Sequence, residues 1–168
     1  MANEYIYVRH AGRHYFDCRD APDIRDIAER LARINRWTGG TTFSVAQHSL
    51  LVSYLCPTLE ALLHDATEAY LGDCAAPLKA LLPDYQRIEA EHDKWIRNSF
   101  GLSLTSDPAV RHADLQSLAL EKYYLLGNPE AERSWPDMSL RLDMIRFLQP
   151  APIDDVVRKF LERFEELR

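Results

Sequence analysis

The chain has 168 residues, is 46% apolar and carries a net charge of −6, enough for one well-buried core but too short for two ordinary domains. Apolar content near half with mixed charge excludes a disordered polymer, and the acidic sum argues against a broad nucleic-acid face, which needs clustered basic charge. No stretch approaches a membrane span, the opening Met-Ala-Asn-Glu-Tyr lacks a signal-peptide pattern, and the widely spaced Cys18, Cys56 and Cys74 suit a reducing compartment, so a cytoplasmic protein is expected.

Residues 4–17, EYIYVRHAGRHYFD, alternate aromatic and β-branched residues around an Ala-Gly-Arg turn, predicting a short hairpin. From Asp23 the period changes. Pro22 followed by Ile24, Ile27, Ala28, Leu31 and Ile34 marks a helix. NRWTGGTTFS, residues 35–44, reads as a loop. A helix is expected from about Val45 to Leu55, broken by Pro57, and another from about Thr58 to Leu71. Gly72-Asp73-Cys74 and Pro77 make a turn, a short helix follows near 77–82, and a long charged helix spans 84–99. Asp107-Pro108 is an N-cap followed by an N1 proline, opening a helix to about Leu126. Residues 127–139 look irregular, and two more helices follow, the last over 153–167. The expectation is a mostly α single domain spanning the chain.

The chemistry concentrates at residues 64–68, His-Asp-Ala-Thr-Glu, inside the apolar run LEALLHDATEAYLGD. His64 and Asp65 are flanked by Leu62, Leu63, Ala66 and Ala69, so two groups that are costly to bury stand at a core wall. A divalent cation would satisfy both. On a continuous helix Glu68 lies i+4 from His64 and i+3 from Asp65, overhanging the same spot. His48, in SVAQHSLLVS, and Asp114, in RHADLQSLAL, sit at similar apolar boundaries. Three helices thus offer two imidazoles and two carboxylates, a set suited to Mn, Co, Zn or Fe, with positions left for water and a substrate oxygen. The other His-Asp pair, His92-Asp93, has charged flanks Glu89, Glu91, Lys94 and Arg97 and reads as a solvated face. His10, His14 and His112 are expected to be exposed.

The order H…HD…D, with Glu four residues after the paired histidine, resembles the HD-domain metal-dependent phosphohydrolase superfamily. The similarity is greatest to small phage and prophage-type members related to bacterial 5′-deoxynucleotidases and phage dATP triphosphohydrolases. RINRWTGGTTFSVAQHSLLVS and HDATEAYLGDCAAPLK carry it. The resemblance implies an all-α HD-domain helical bundle preceded by the short β-hairpin. It implies that His48, His64, Asp65 and Asp114 bind a divalent metal (Mn, Co, Zn or Mg). It further implies that Glu68 serves the attacking water as general base or acid, with Asp73 supporting that network. Arg36 and Trp37 match an Arg-Trp pair that meets the phosphate and the sugar or base. Lys79 matches a phosphate-binding lysine, and Arg111 a basic position in the phage members.

The implied activity is hydrolysis of phosphate from nucleotides by metal-activated water. A 5′-deoxynucleotidase is the first expectation, and a dATP-type triphosphohydrolase with the same site the second. Three cations, Arg36, Lys79 and Arg111, in an otherwise acidic chain suit an anionic substrate, and Trp37 offers a flat apolar face with an indole donor. The expected partner is a small-molecule nucleotide, with no nucleic-acid polymer and no membrane, in a homo-oligomer. A non-catalytic nucleotide-binding or assembly module is the reading from another class. For it the apolar stripe Ile153, Val156, Val157, Phe160, Leu161 and Phe164 would form contacts between copies. YIYVRHAGRH also resembles the strand-plus-Arg-His start of histidine phosphatases. That architecture needs a parallel sheet alternating with helices, which the helical remainder does not offer.

Overall fold

Two antiparallel strands, β1 (Tyr5–Val8) and β2 (Gly12–Tyr15), open the chain in the computed structural model, which describes residues 5–128 and 142–168. Tyr5 pairs with Tyr15 and Val8 with Gly12. The turn between the strands is pinned to the first helix, where the backbone N–H groups of His10 and Ala11 donate to the two carboxylate oxygens of buried Asp26 at 2.9 and 2.8 Å. The expected irregular stretch 127–139 lies, from residue 129 onward, outside the described residues.

The helix α1 (Ile24–Leu31) starts where Asp23 accepts from Arg25 N at 2.7 Å, and it buries Ile27, Ala28 and Leu31. The next, α2 (Val45–Leu55), begins with a capping box in which Ser44 and Gln47 satisfy each other's backbone N–H. Every residue from Val45 to Ser53 is buried. A helix with no solvent face must pair its polar side chains internally, which makes α2 the axis on which the rest is hung.

The expected helix over 58–71 is divided. It forms α3 (Leu59–Leu63), capped by Thr58, and α4 (Glu68–Leu71). Between them the backbone tightens to i→i+3 hydrogen bonds: Ala66 N to Leu63 O, Glu68 N to Asp65 O, Ala69 N to Ala66 O and Tyr70 N to Thr67 O, all 3.0–3.2 Å. This corrects the continuous helix. In such winding side chains three apart eclipse, so Glu68 stands over Asp65 rather than over His64.

A short α5 (Ala76–Lys79) and the long α6 (Pro83–Ser99) follow, then α7 (Pro108–Tyr124), whose N-cap Asp107 accepts from Ala109 N at 2.8 Å. A 3-10 helix, Leu142–Leu148, precedes α8 (Ile153–Leu167). The chain is thus mostly helical with one N-terminal hairpin.

The main core joins Ile27, Ala28 and Leu31 of α1 and Val45, Ala46 and Leu50 of α2 to Leu62, Leu63 and Ala66, and is closed by Val156, Phe160 and Phe164 of α8. The α8 apolar stripe is therefore largely spent within the chain. A second cluster, Phe43, Leu51, Leu120, Met144 and Leu148, ties α7 and the 3-10 helix to the other side of α2.

Two surface expectations are reversed. His92 is fully buried and His14 is 4% exposed; their Nε2 atoms are 3.0 Å apart, boxed by Phe16, Tyr70 and Trp95. Of the charged flanks of His92, Glu91 and Lys94 are exposed, but Glu89 is half-buried against Lys79 and Arg97 is buried against Asp93 and Glu60, while His92 itself meets His14 of the hairpin. His10 binds Glu29 at 3.0 Å, and His112 is exposed as expected. The hairpin is a two-stranded antiparallel sheet, not the start of a parallel one. The three cysteines are free thiols, and no described helix is long and apolar enough to cross a membrane.

Candidate metal centre

His48 sits in the middle of α2 with no solvent exposure, and the helices packed around it supply everything that touches its ring. From α7 come Asp114, Ser117 and Glu121, spaced i, i+3, i+7 on one face. Glu121 Oε1 accepts from His48 Nδ1 at 2.7 Å, and Ser117 Oγ lies 3.0 Å from the same nitrogen. His64 follows the last residue of α3, and its Nδ1 donates to the carbonyl of Ala61 at 2.8 Å, closing one of the carbonyls that a helix end leaves open.

These bonds fix both tautomers. A carbonyl and a carboxylate only accept, so both Nδ1 atoms carry hydrogen. The two Nε2 atoms then present lone pairs, and they face each other at 3.1 Å. Asp65 Oδ2 is 3.5 Å from His48 Nε2 and 3.3 Å from His64 Nε2, while Asp114 Oδ1 is 3.1 and 3.9 Å from them. Two facing imidazole nitrogens and the Asp65 carboxylate, with Asp114 against His48, favour a positive charge between them. Ligand bonds of about 2.1 Å place neighbouring donors roughly 3.0 to 3.4 Å apart for right-angle to tetrahedral geometry. The His48–His64, His64–Asp65 and His48–Asp114 separations fall in that range, His48–Asp65 is just above it and His64–Asp114, at 3.9 Å, lies outside it; His48, His64 and Asp65 form the group that could hold a metal ion.

The electrostatics agree. Burial and Arg36 oppose a charge on His48, but the Glu121 and Asp114 carboxylates outweigh them and push its pKa up to about 9. Without a metal a proton occupies the position a cation would take, and metal binding displaces it. Burial would raise Asp65, yet His64, His48 and Arg36 hold it far below the usual carboxylate range. Burial likewise opposes ionisation of Asp114, and His48 overrides it.

Glu68 behaves in the opposite sense. Burial first, then the charges of Asp65 and Asp73, drive its pKa well above the ordinary carboxylate value. It is 7% exposed and its Oε2 is buried without a hydrogen-bond partner. A neutral carboxyl group with an unused oxygen beside a cation site can store and return a proton.

Arg36 joins the cluster and Trp37 stands beside it. The Arg36 guanidinium lies 3.7 Å (Nη1) from Asp65 Oδ2 and donates through Nε to Glu121 Oε2 at 2.8 Å; the Trp37 indole donates to the same oxygen at 3.0 Å. Their loop is closed by Arg36 N to Phe43 O and Val45 N to Ile34 O, both 2.9 Å. Trp37, Thr38 and Gly39 all have positive φ, at 59°, 54° and 78°, a costly path for the two residues with side chains.

The remaining expected site residues stand apart from the cluster. Asp73 is half-buried and makes no side-chain hydrogen bond among the described residues; it acts on Glu68 through its charge. Lys79 is paired with Glu89 at 2.6 Å. Burial disfavours its charge, but Glu89, with smaller contributions from Glu68 and Asp65, raises its pKa. Arg111 is exposed one turn before Asp114, with no ion pair among the described residues.

Glu121, with Ser117, is what the sequence reading missed. It is fully buried, and although burial opposes ionisation, His48 and Arg36 hold its pKa down to about 2. The signal was present: Asp114, Ser117 and Glu121 form a polar stripe through the apolar positions of α7.

No family model matches the chain. It is 41% identical over 167 residues to the uncharacterized protein YfdR of Escherichia coli K12, covering 94% of this chain and 92% of that one. It is 36% identical over 153 residues to the uncharacterized protein RCAP_rcc00048 of Rhodobacter capsulatus, covering 77% and 78% respectively.

Proposed function

We propose that this chain, which belongs to the family that includes Escherichia coli YfdR, is an HD-domain metal-dependent nucleotide phosphohydrolase. The preferred reaction is that of a 5′-deoxynucleotidase, releasing orthophosphate from deoxynucleoside monophosphates. The observation that carries this reading is the approach of the His48 and His64 Nε2 atoms to 3.1 Å with Asp65 Oδ2 within 3.5 Å of both and Asp114 Oδ1 3.1 Å from His48, together with a buried, unpaired Glu68 oxygen alongside.

In this reading His48, His64, Asp65 and Asp114 hold the cation (Mn, Co, Zn or Mg), the imidazoles suiting Zn and the carboxylates Mn or Mg. When bound, a divalent ion supplies a water acidic enough to ionise near neutrality and neutralises phosphoryl charge. Arg36, locked by Glu121, orients the phosphate by presenting its remaining N–H groups beside Asp65. Glu68 carries the proton between water and leaving oxygen, a role that its buried, unpaired Oε2 suits. Trp37 stands next to Arg36 to receive the sugar or base on its ring face.

Release of triphosphate from a deoxynucleoside triphosphate is the second reading. It is favoured by Lys79, whose charge lies within electrostatic reach of Asp65 and Glu68 and would meet the far end of a longer phosphate chain. A screen of nucleoside mono-, di- and triphosphates against Mn, Co, Mg and Zn, with products resolved by ion chromatography, separates the possibilities. Orthophosphate from deoxynucleoside monophosphates supports the first reading and intact triphosphate the second. Nucleotide binding with no product under any metal overturns both in favour of a binding module.

A further inference from the structure

Glu121 has more partners than a metal-supporting carboxylate needs. Its Oε1 takes His48 Nδ1 at 2.7 Å and Ser117 Oγ at 3.1 Å; its Oε2 takes Arg36 Nε at 2.8 Å and Trp37 Nε1 at 3.0 Å. Each carboxylate oxygen accepts about two hydrogen bonds, so this group is full. One oxygen serves a metal ligand and the other serves the loop that faces the substrate. The residues it joins lie 73, 84 and 85 positions away in the chain, and the group has no contact with solvent.

We propose that Glu121 is the positioning residue that makes the cation site and the phosphate-capturing Arg36–Trp37 loop a single unit, so that neither holds its geometry without it. The proposal rests on the phosphohydrolase reading above and adds to it a residue that touches neither metal nor substrate. A bond to the far nitrogen of a ligating imidazole fixes its orientation and raises its basicity. The same rigid anion stops the Arg36 guanidinium from collapsing onto Asp65, only 3.7 Å away, and so keeps its free N–H edge for phosphate. It also anchors the indole across a loop whose left-handed residues would otherwise relax.

The isosteric variant Glu121→Gln tests this. An amide has one accepting oxygen and one donating NH2. In either orientation its NH2 group faces donors on one side, Arg36 and Trp37 or else His48 Nδ1, where only the Ser117 hydroxyl can turn to accept. Zn2+ affinity by chelator competition and inorganic phosphate affinity of the Zn-loaded protein are to be measured on wild type and variant. The Trp37 indole N–H resonance, assigned by its loss in Trp37→Phe, is followed by NMR. We expect Zn2+ affinity to fall about 10- to 100-fold and phosphate affinity at saturating Zn2+ to fall at least about tenfold. The indole resonance should move on Zn2+ addition in wild type and stay still in the variant.

A folded Glu121→Gln that keeps either affinity within about twofold, or whose indole still follows Zn2+, overturns the proposal. If Glu121→Gln does not fold by circular dichroism, Glu121→Asp replaces it. Its shorter arm cannot reach both sides, so it must lose Zn2+ or phosphate affinity by at least about fivefold; retention of both overturns the proposal. A wild type that binds no Zn2+, Mn2+ or Co2+ is a different result, because it removes the phosphohydrolase reading itself.

Discussion

The buried imidazole pair makes acid stability a quantitative test of the packing beneath the hairpin. His92 Nδ1 donates to Ile88 O at 2.8 Å, so its Nε2 is an acceptor and His14 must donate to it across 3.0 Å. That arrangement is complete with both rings neutral. Burial, then the charges of His92 and Arg30, pushes the His14 pKa down from its ordinary 6.5 to about 4, and burial lowers His92 as well. Between those values the unfolded chain binds a proton that the folded chain refuses, so stability falls as pH falls through the window. For a shift of that size, moving from about pH 7.5 to about pH 5 costs roughly 2 kcal/mol. Urea denaturation followed by circular dichroism at the two pH values, on wild type and His14→Gln, isolates the effect. Glutamine can still donate to His92 Nε2 but does not titrate, and the other ionisable groups are common to both proteins. Wild type should lose about 2 kcal/mol more than the variant over the interval. Equal losses would refute the neutral pair.

Divalent metal at a hundred times its dissociation constant should stabilise the fold by about 2.7 kcal/mol, raising Tm by roughly 5 to 10 °C for a chain of this size. The rise should vanish in Asp65→Asn, and differential scanning fluorimetry with and without chelator reads both. In turnover assays Asp65→Asn should lose metal and activity together. Glu68→Ala should keep the metal and lose activity about 100-fold or more; metal loss of the same size in both variants would contradict the proton-carrying role. Thr38→Asn should stabilise the chain by about 1 kcal/mol in urea titrations, because asparagine tolerates the left-handed backbone that threonine resists. A loss of stability there would show that the threonine side chain contributes to the loop.

Local signals read well from the sequence where they were chemical rather than periodic. Asp107 caps the helix it precedes, as expected, and the Gly-Thr-rich stretch is a loop closed at its base, whereas the caps supplied by Asp23 and Ser44 were not anticipated. Three of the four expected ligands, His48, His64 and Asp65, form one group that could hold a metal ion, Asp114 lies closest to His48, and Arg36 and Trp37 stand beside them. The break after Leu63 was hidden because a 3-10 turn and an α-helix share the same apolar spacing over so few residues. Glu121 was hidden for a different reason. A glutamate among Lys122 and two tyrosines reads as surface until α2 is known to lack any exposed side. His92 was misplaced by the same reasoning, since its exposed neighbours Glu91 and Lys94 lie on other faces of the helix.

The spread of the Glu121 partners along the chain has a consequence for biosynthesis. A nascent polypeptide exposes Arg36 and His48 long before α7 leaves the ribosome, and for that interval both lack the buried carboxylate that binds them most closely, at 2.8 and 2.7 Å. Satisfaction of His48 and Arg36 therefore waits for residue 121, making closure of this centre a late, long-range event.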